Sequence, residues 1–383
     1  MQFFRNRAAT QQNDTVDPKQ ANINVLMCAG RRVGKTAIMA AIAENTNAAA
    51  AQNTNPLFST GKVMFNLSQY QKGGTDYLGE YTSKRITMFS GEWRSPFYYA
   101  EESTQKVNDF GDDSTSSSET VDYSGAIYLQ MQAGKKAQEV ATVSFKDPRG
   151  EDYTTAHMKD SVTQWMRSSQ IILMMVDMPR LMEYDNNYVQ GGYHDEFNKP
   201  EEITNLLIDA WSGNTEPRMV LFVPVKCELY MAQERTKEML EAIQKGYDRL
   251  LRFLASSKNS HLYTVAIAPC ETMGGLEFRK FVPYLSKDGK PTGGMRSVYA
   301  YRRDAKGQRY FAPQYCEQLV LYIMRYIFGL RIQEKNAQGV FRFLSNLPKA
   351  DDLQYICREI DKHMIRDEAK GFYILKNPQG FLY

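Results

Sequence analysis

Ile23-Asn-Val-Leu-Met-Cys28 runs directly into Ala29-Gly30-Arg31-Arg32-Val33-Gly34-Lys35-Thr36, and the residues from Thr36 to Ala43 are helix formers. A short apolar run of this kind suits a strand covered on both faces. The glycines that follow let the backbone bend so that successive N–H groups point at one anion. A lysine then neutralises the β/γ phosphates of a nucleotide, a hydroxyl binds Mg²⁺, and the helix N-terminus adds its partial positive charge. Gly34, Lys35 and Thr36 supply the last glycine, the cation and the hydroxyl, and Ala29 stands where the usual first glycine would be. Gly30, Arg31, Arg32 and Val33 complete the arc. Strand, glycine-rich loop and helix, in this order, make a Walker A phosphate loop.

Outward from this stretch, short apolar runs recur at 141–145, 171–176, 219–223 and 263–267, each bounded by polar residues. Between them lie Tyr153–Ser168, Glu201–Trp211 and Met231–Leu254, with apolar residues at helical spacing. Strands alternating with helices predict a doubly wound α/β fold with a mostly parallel sheet. Residues 1–20 read as a flexible lead and 21–330 as the main domain, with insertions at about 46–124, 178–200 and 277–312. Turn signals at Asp288-Gly289 and Lys306-Gly307 predict a β-hairpin in the last of these. Pro313–Phe328 and Ala350–Ala369 read as helices that close the domain, and residues 331–383 as a helical extension.

The 383 residues carry 47 basic and 44 acidic side chains, a balance that implies neither a nucleic-acid footprint nor an acidic substrate. No stretch is long and apolar enough for a transmembrane helix. The five cysteines lack CxxC spacing and read as reduced, mostly buried thiols of a cytoplasmic protein. The four histidines show no metal spacing.

A second motif follows the run at 141–145, where Asp147-Pro-Arg-Gly150-Glu151 ends the strand. A strand-end carboxylate supporting Mg²⁺, then a turn whose glycine N–H senses the γ-phosphate, has this form. Phosphate loop, Asp-x-x-Gly and the later strands together resemble the core of the Ras-like, TRAFAC-class P-loop GTPases, over about residues 21–45 and 138–275. That family carries a Thr/Asn-Lys-x-Asp motif after its fifth strand, and here the matching residues are Val225-Lys226-Cys227-Glu228. The resemblance implies that Lys226 packs over a guanine and Glu228 reads its edge, although Glu replaces Asp. The loop after the next strand, Ala268-Pro-Cys270-Glu271-Thr272, matches in position only.

The resemblance further implies GTP or GDP with Mg²⁺ as ligands, Lys35 on the phosphates, and Thr36 and Asp147 on the metal. Glu151 stands where the family has a Gln that orients the attacking water, which predicts slow hydrolysis. Arg31 or Arg32 either folds over the nucleotide as a built-in catalytic cation or points outward. Thr104, Thr115 and Thr120 are candidates for the family's switch threonine. The large insertions resemble the divergent bacterial double-GTPase type, some members of which accompany defence systems. The expected role is a switch whose surface over 90–125 and 149–160 is read by a protein partner. An ATP-binding ATPase subunit and a non-hydrolysing nucleotide scaffold stay open beside it.

Overall fold

The computed structural model describes residues 21–30, 32–46, 55–59, 61–70, 78, 88–89, 97–100, 120–130, 136–183, 194–285, 289–333 and 347–383. Its centre is an eight-stranded sheet. The strands are β1 (Ala21–Cys28), β2 (Val63–Tyr70), β3 (Phe97–Ala100), β4 (Val121–Leu129), β5 (Gln138–Asp147), β6 (Ile171–Asp177), β7 (Arg218–Val225), β8 (Tyr263–Ile267), β9 (Leu276–Leu285), β10 (Pro291–Tyr301) and β11 (Tyr373–Lys376). The large sheet has the order β11-β8-β7-β6-β1-β5-β4-β2, and β3-β10-β9 form a second, smaller sheet. Strands β8, β7, β6, β1 and β5 run parallel, whereas β4, β2 and β11 pair antiparallel at the two flanks.

The helices are α1 (Lys35–Thr46), α2 (Pro56–Ser59), α3 (Lys159–Ser168), α4 (Met178–Met182), α5 (Pro200–Trp211), α6 (Glu228–Ala232), α7 (Thr236–Gly246), α8 (Asp248–Ala255), α9 (Cys316–Gln333) and α10 (Ala350–His363). They cover both faces of the sheet. Ile23, Val25 and Met27 of β1 and Ile171, Leu173 and Met175 of β6 share one core with α1, α9 and α10. The alternate residues, Leu26 and Cys28 of β1 and Ile172, Met174 and Val176 of β6, share a second core with α3, α5, α7 and α8. That is why these strands read as unbroken apolar runs: every residue of β6 and β7 is buried. Each buried Leu, Ile or Val contributes about 1.5–3 kcal/mol over an exposed one.

The structure departs from the sequence expectation in four places. Residues 46–124 are not simply an insertion, because β2 and β4 extend the main sheet in register, Val63 opposite Leu129 through Tyr70 opposite Asp122. Strand β4 alternates buried with half-buried residues, the pattern of a strand packed on one face. The region after 331 is not wholly helical, since Tyr373–Lys376 adds a strand beside β8. Tyr153–Ser168 begins with the 3₁₀ turns 150–153 and 156–158 and becomes α-helical only from Lys159. Met231–Leu254 is broken into α7 and α8 at Tyr247. The 277–312 region carries the antiparallel pair β9 and β10, whose aromatic residues Phe278, Tyr299 and Tyr301 form a third, small core with Phe89.

Candidate functional site

Parallel strands deliver their C-terminal ends to one rim. Cys28, Asp147, Asp177 and Val225 end β1, β5, β6 and β7, with β1 between β5 and β6. From β1 the chain crosses first to one side and later to the other, and a crevice at the strand C-termini is where such sheets hold ligands.

The loop 29–34 fills this position. Ala29, Gly30 and Val33 are buried. Gly34 has φ +117° and Arg32 φ +58°, so the backbone turns through two left-handed residues before α1 begins. The Gly34 carbonyl then accepts from Ile38 N at 3.0 Å, the first bond of the helix. A Cβ at Gly30 would lie 1.7 Å from Phe197 O, so the loop is in direct backbone contact with the segment 194–198.

Lys35 and Asp147 meet at this rim, with Nζ 3.5 Å from Oδ1 and both side chains about nine-tenths buried. Asp147 Oδ1 is buried and has no hydrogen-bond partner in the structure. Burial pushes the Asp147 carboxyl up to about 6, while the Lys35 ammonium pulls it down. Thr36 follows in the first turn of α1, half-buried. Among the described residues no group of three or more His, Cys, Asp or Glu converges on a point. A single carboxylate suits Mg²⁺, which keeps several waters and takes further oxygens from phosphates. It does not suit zinc, which is held by Cys, His and carboxylate ligands together.

Sequence reasoning missed Asp177. Its backbone pairs with Val225 in the register of β6 and β7. Its Oδ1 caps α4 by accepting from Arg180 N at 3.2 Å, ahead of Pro179 in the first turn. Its Oδ2 accepts from Lys226 Nζ at 2.5 Å, and the same ammonium donates to Arg32 O at 3.0 Å. Lys226 therefore ties β7 to the glycine loop, from a left-handed backbone position at φ +55°. Asn198 clasps Asp177 from the other side, Oδ1 accepting from Asp177 N and Nδ2 donating to Asp177 O. The signal available in the sequence was a second apolar strand ending in Asp, as β5 does.

Glu228 lies apart from this cluster. It is buried, and its Oε1 accepts from Met273 N at 3.2 Å and Gly274 N at 3.4 Å. Burial raises its carboxyl against those bonds and against Arg302. Arg302 donates to Glu228 O, Gly274 O and Glu277 Oε1, fastening the β9–β10 hairpin to this loop. Glu271 N, for its part, donates to Gln314 O.

Gly150 is buried at the start of a 3₁₀ turn, and Glu151 is exposed. Arg149 is held locally: its backbone N and its guanidinium both donate to the fully buried Asp152. Arg31, Thr104 and Thr115 lie outside the described residues. Thr120 immediately precedes β4.

Comparison with protein-family models and with curated protein sequences found no match to this chain. The geometry of the rim is what bears on function. No helix among the described residues is long and apolar enough to cross a membrane.

Proposed function

We propose that the chain is a guanine-nucleotide-binding switch that binds GTP with Mg²⁺, hydrolyses it slowly and presents its nucleotide-dependent surface to a protein partner. The observation that carries this reading is the meeting of Lys35 with the buried Asp147 carboxylate, whose Oδ1 has no hydrogen-bond partner, beside a loop bent by Arg32 and Gly34. The order β8-β7-β6-β1-β5, with antiparallel β4 beside β5, also agrees with the Ras-like arrangement that the motifs resemble.

Lys35 exchanges its carboxylate neighbour for the β/γ phosphates, and the loop N–H groups surround the same anion. Thr36 and Asp147 would hold the Mg²⁺, which would neutralise phosphate charge. Lys226, pinned between Asp177 and Arg32 O, presents its alkyl stem to the base. Gly150 N–H lies after Asp147 to meet a γ-phosphate. Glu151, exposed and anionic, repels that phosphate rather than ordering water against it, and turnover is slow as a result.

A second reading, nucleotide binding without preference for guanine, is favoured by one observation: Glu228 Oε1 already accepts from two main-chain N–H groups. Displacement of fluorescent GDP by GTP, GDP, ATP and ADP in Mg²⁺, beside the Lys35→Ala protein, separates the two. Displacement by guanine nucleotides alone supports the switch, and equal displacement by adenine nucleotides supports the second reading. Failure of the folded wild-type protein to bind any nucleotide defeats both.

A further inference from the structure

Three of the buried cysteines gather behind the loop that holds Glu228. Val225 bridges to Cys270, and Glu271 pairs antiparallel with Gln314, so the loop after β8 runs alongside the approach to α9. Cys316 is the first residue of α9. Cys270 Sγ and Cys316 Sγ are 2.7 Å apart, closer than two thiol sulfurs normally rest. Cys227 Sγ donates to Cys270 O at 3.7 Å and to Pro224 O at 3.6 Å. All three side chains are buried.

A disulfide needs sulfurs about 2.05 Å apart on backbones about 4.4–6.8 Å apart. Glu271, next to Cys270, pairs antiparallel with Gln314, two residues before Cys316, so the two backbones run side by side. The two sulfurs must therefore close by only roughly 0.7 Å to bond. Cys28 and Cys357 are also buried, but neither has such a neighbour among the described residues.

We propose that Cys270 and Cys316 are a redox-modifiable pair that closes to an intrachain disulfide, fastening the loop that holds Glu228 to the start of α9. The oxidant is a peroxide. One thiol loses its proton and its sulfur attacks a peroxide oxygen, the O–O bond breaks, hydroxide leaves, and the sulfur becomes a sulfenic acid. The second sulfur attacks the sulfenyl sulfur, the S–S bond forms and water leaves. Two thiols and one hydrogen peroxide give one disulfide and two waters. Burial raises both thiols above their ordinary range, so the reaction waits on brief openings of the loop and takes minutes to hours. Met273 and Gly274, which donate to Glu228, lie just beyond Cys270, so the cross-link immobilises the seat of that carboxylate. This inference does not depend on which nucleotide, if any, the rim binds.

The test is to incubate the native full chain with hydrogen peroxide, alkylate it under denaturing conditions, and map the unreduced peptides by mass spectrometry. Two of the five thiols should resist alkylation, the intact mass before alkylation should fall by two hydrogens, and the peptides holding Cys270 and Cys316 should be joined. Dithiothreitol should restore all five. Cys316→Ser should keep its four remaining thiols free under the same treatment. The proposal is overturned if wild type keeps five free thiols, if the map joins Cys227 or another cysteine instead, or if Cys316→Ser loses thiols as fast as wild type. If the variant does not fold, the wild-type peptide map decides by itself.

Discussion

Among the described residues, two buried carboxylates have an oxygen with no hydrogen-bond partner, Asp147 at the glycine loop and Glu271 behind the Glu228 loop. They differ in what they face. Asp147 has an ammonium 3.5 Å away, and burial brings its carboxyl only up to about 6. Glu271 has Glu228 as its neighbour, and burial together with that like charge pushes it up to about 8, against Arg302. The first faces a cation that favours its ionised form. The second is pushed toward its protonated form by burial and by Glu228. An unpartnered buried oxygen becomes a candidate ligand position only when its surroundings favour the ionised form.

Four experiments break or sharpen this contrast. The largest effect is expected at the loop itself, where Gly30→Ala drives a methyl group into the backbone at Phe197. It should destabilise the protein by about 3 kcal/mol or more in a denaturant titration. An unchanged midpoint would mean that the loop and the segment 194–198 are not packed together.

Lys35→Ala comes next. It should weaken nucleotide binding about 100-fold in fluorescent-nucleotide titrations, with far-UV circular dichroism unchanged, since a charge-assisted phosphate contact is lost. If Lys35→Ala binds as wild type does, the Lys35–Asp147 pair is only an internal ion pair.

A smaller loss, about 10-fold, is expected for Asp177→Asn, which keeps an oxygen for Arg180 N but removes the charge holding Lys226. In a Lys226→Met background the same change should add almost nothing, because its effect passes through the lysine. Additive losses would give Asp177 a separate role.

Glu271 supplies the most gradual effect, spread over several pH units. Its carboxyl, about 4.5 in the unfolded chain and about 8 when folded, binds its proton more tightly in the native state. Between those values the native state holds more protons, so stability falls as pH rises, by about 1 kcal/mol per pH unit. Thermal midpoints from pH 5 to 9 should show this decline, and Glu271→Gln should make it shallower, leaving the share of Asp147 and Glu228. An equally steep curve for the variant would assign the decline to another group.

Much of the fold was legible because its central strands are covered on both faces. The runs at 23–28, 141–145, 171–176, 219–223 and 263–267 all fall within β1, β5, β6, β7 and β8. The flanking strands were not legible in the same way. Strand β4 buries only alternate residues, and β11 has four residues, none of them fully buried. At the site, Gly34, Lys35 and Asp147 could be read because each belongs to a contiguous motif. The partnership of Asp177 with Lys226 spans 49 residues and exists only because β6 and β7 lie side by side in register. The inward turn of Glu228 likewise depends on backbone N–H groups 45 and 46 residues away, donors that every non-proline residue carries and no motif can announce.

The contact between Gly30 and Phe197 has a further consequence. Lys199 takes a left-handed turn immediately after it and opens α5. That helix of 12 residues is about 18 Å long and ends at Trp211, whose ring stacks on Tyr263 with centroids 5.0 Å apart. Anything that swells or stiffens the glycine loop presses on one end of a rigid rod whose other end carries an indole. With Trp93 and Trp165 replaced by Phe, the ultraviolet emission of Trp211 is expected to follow the loop without any added label.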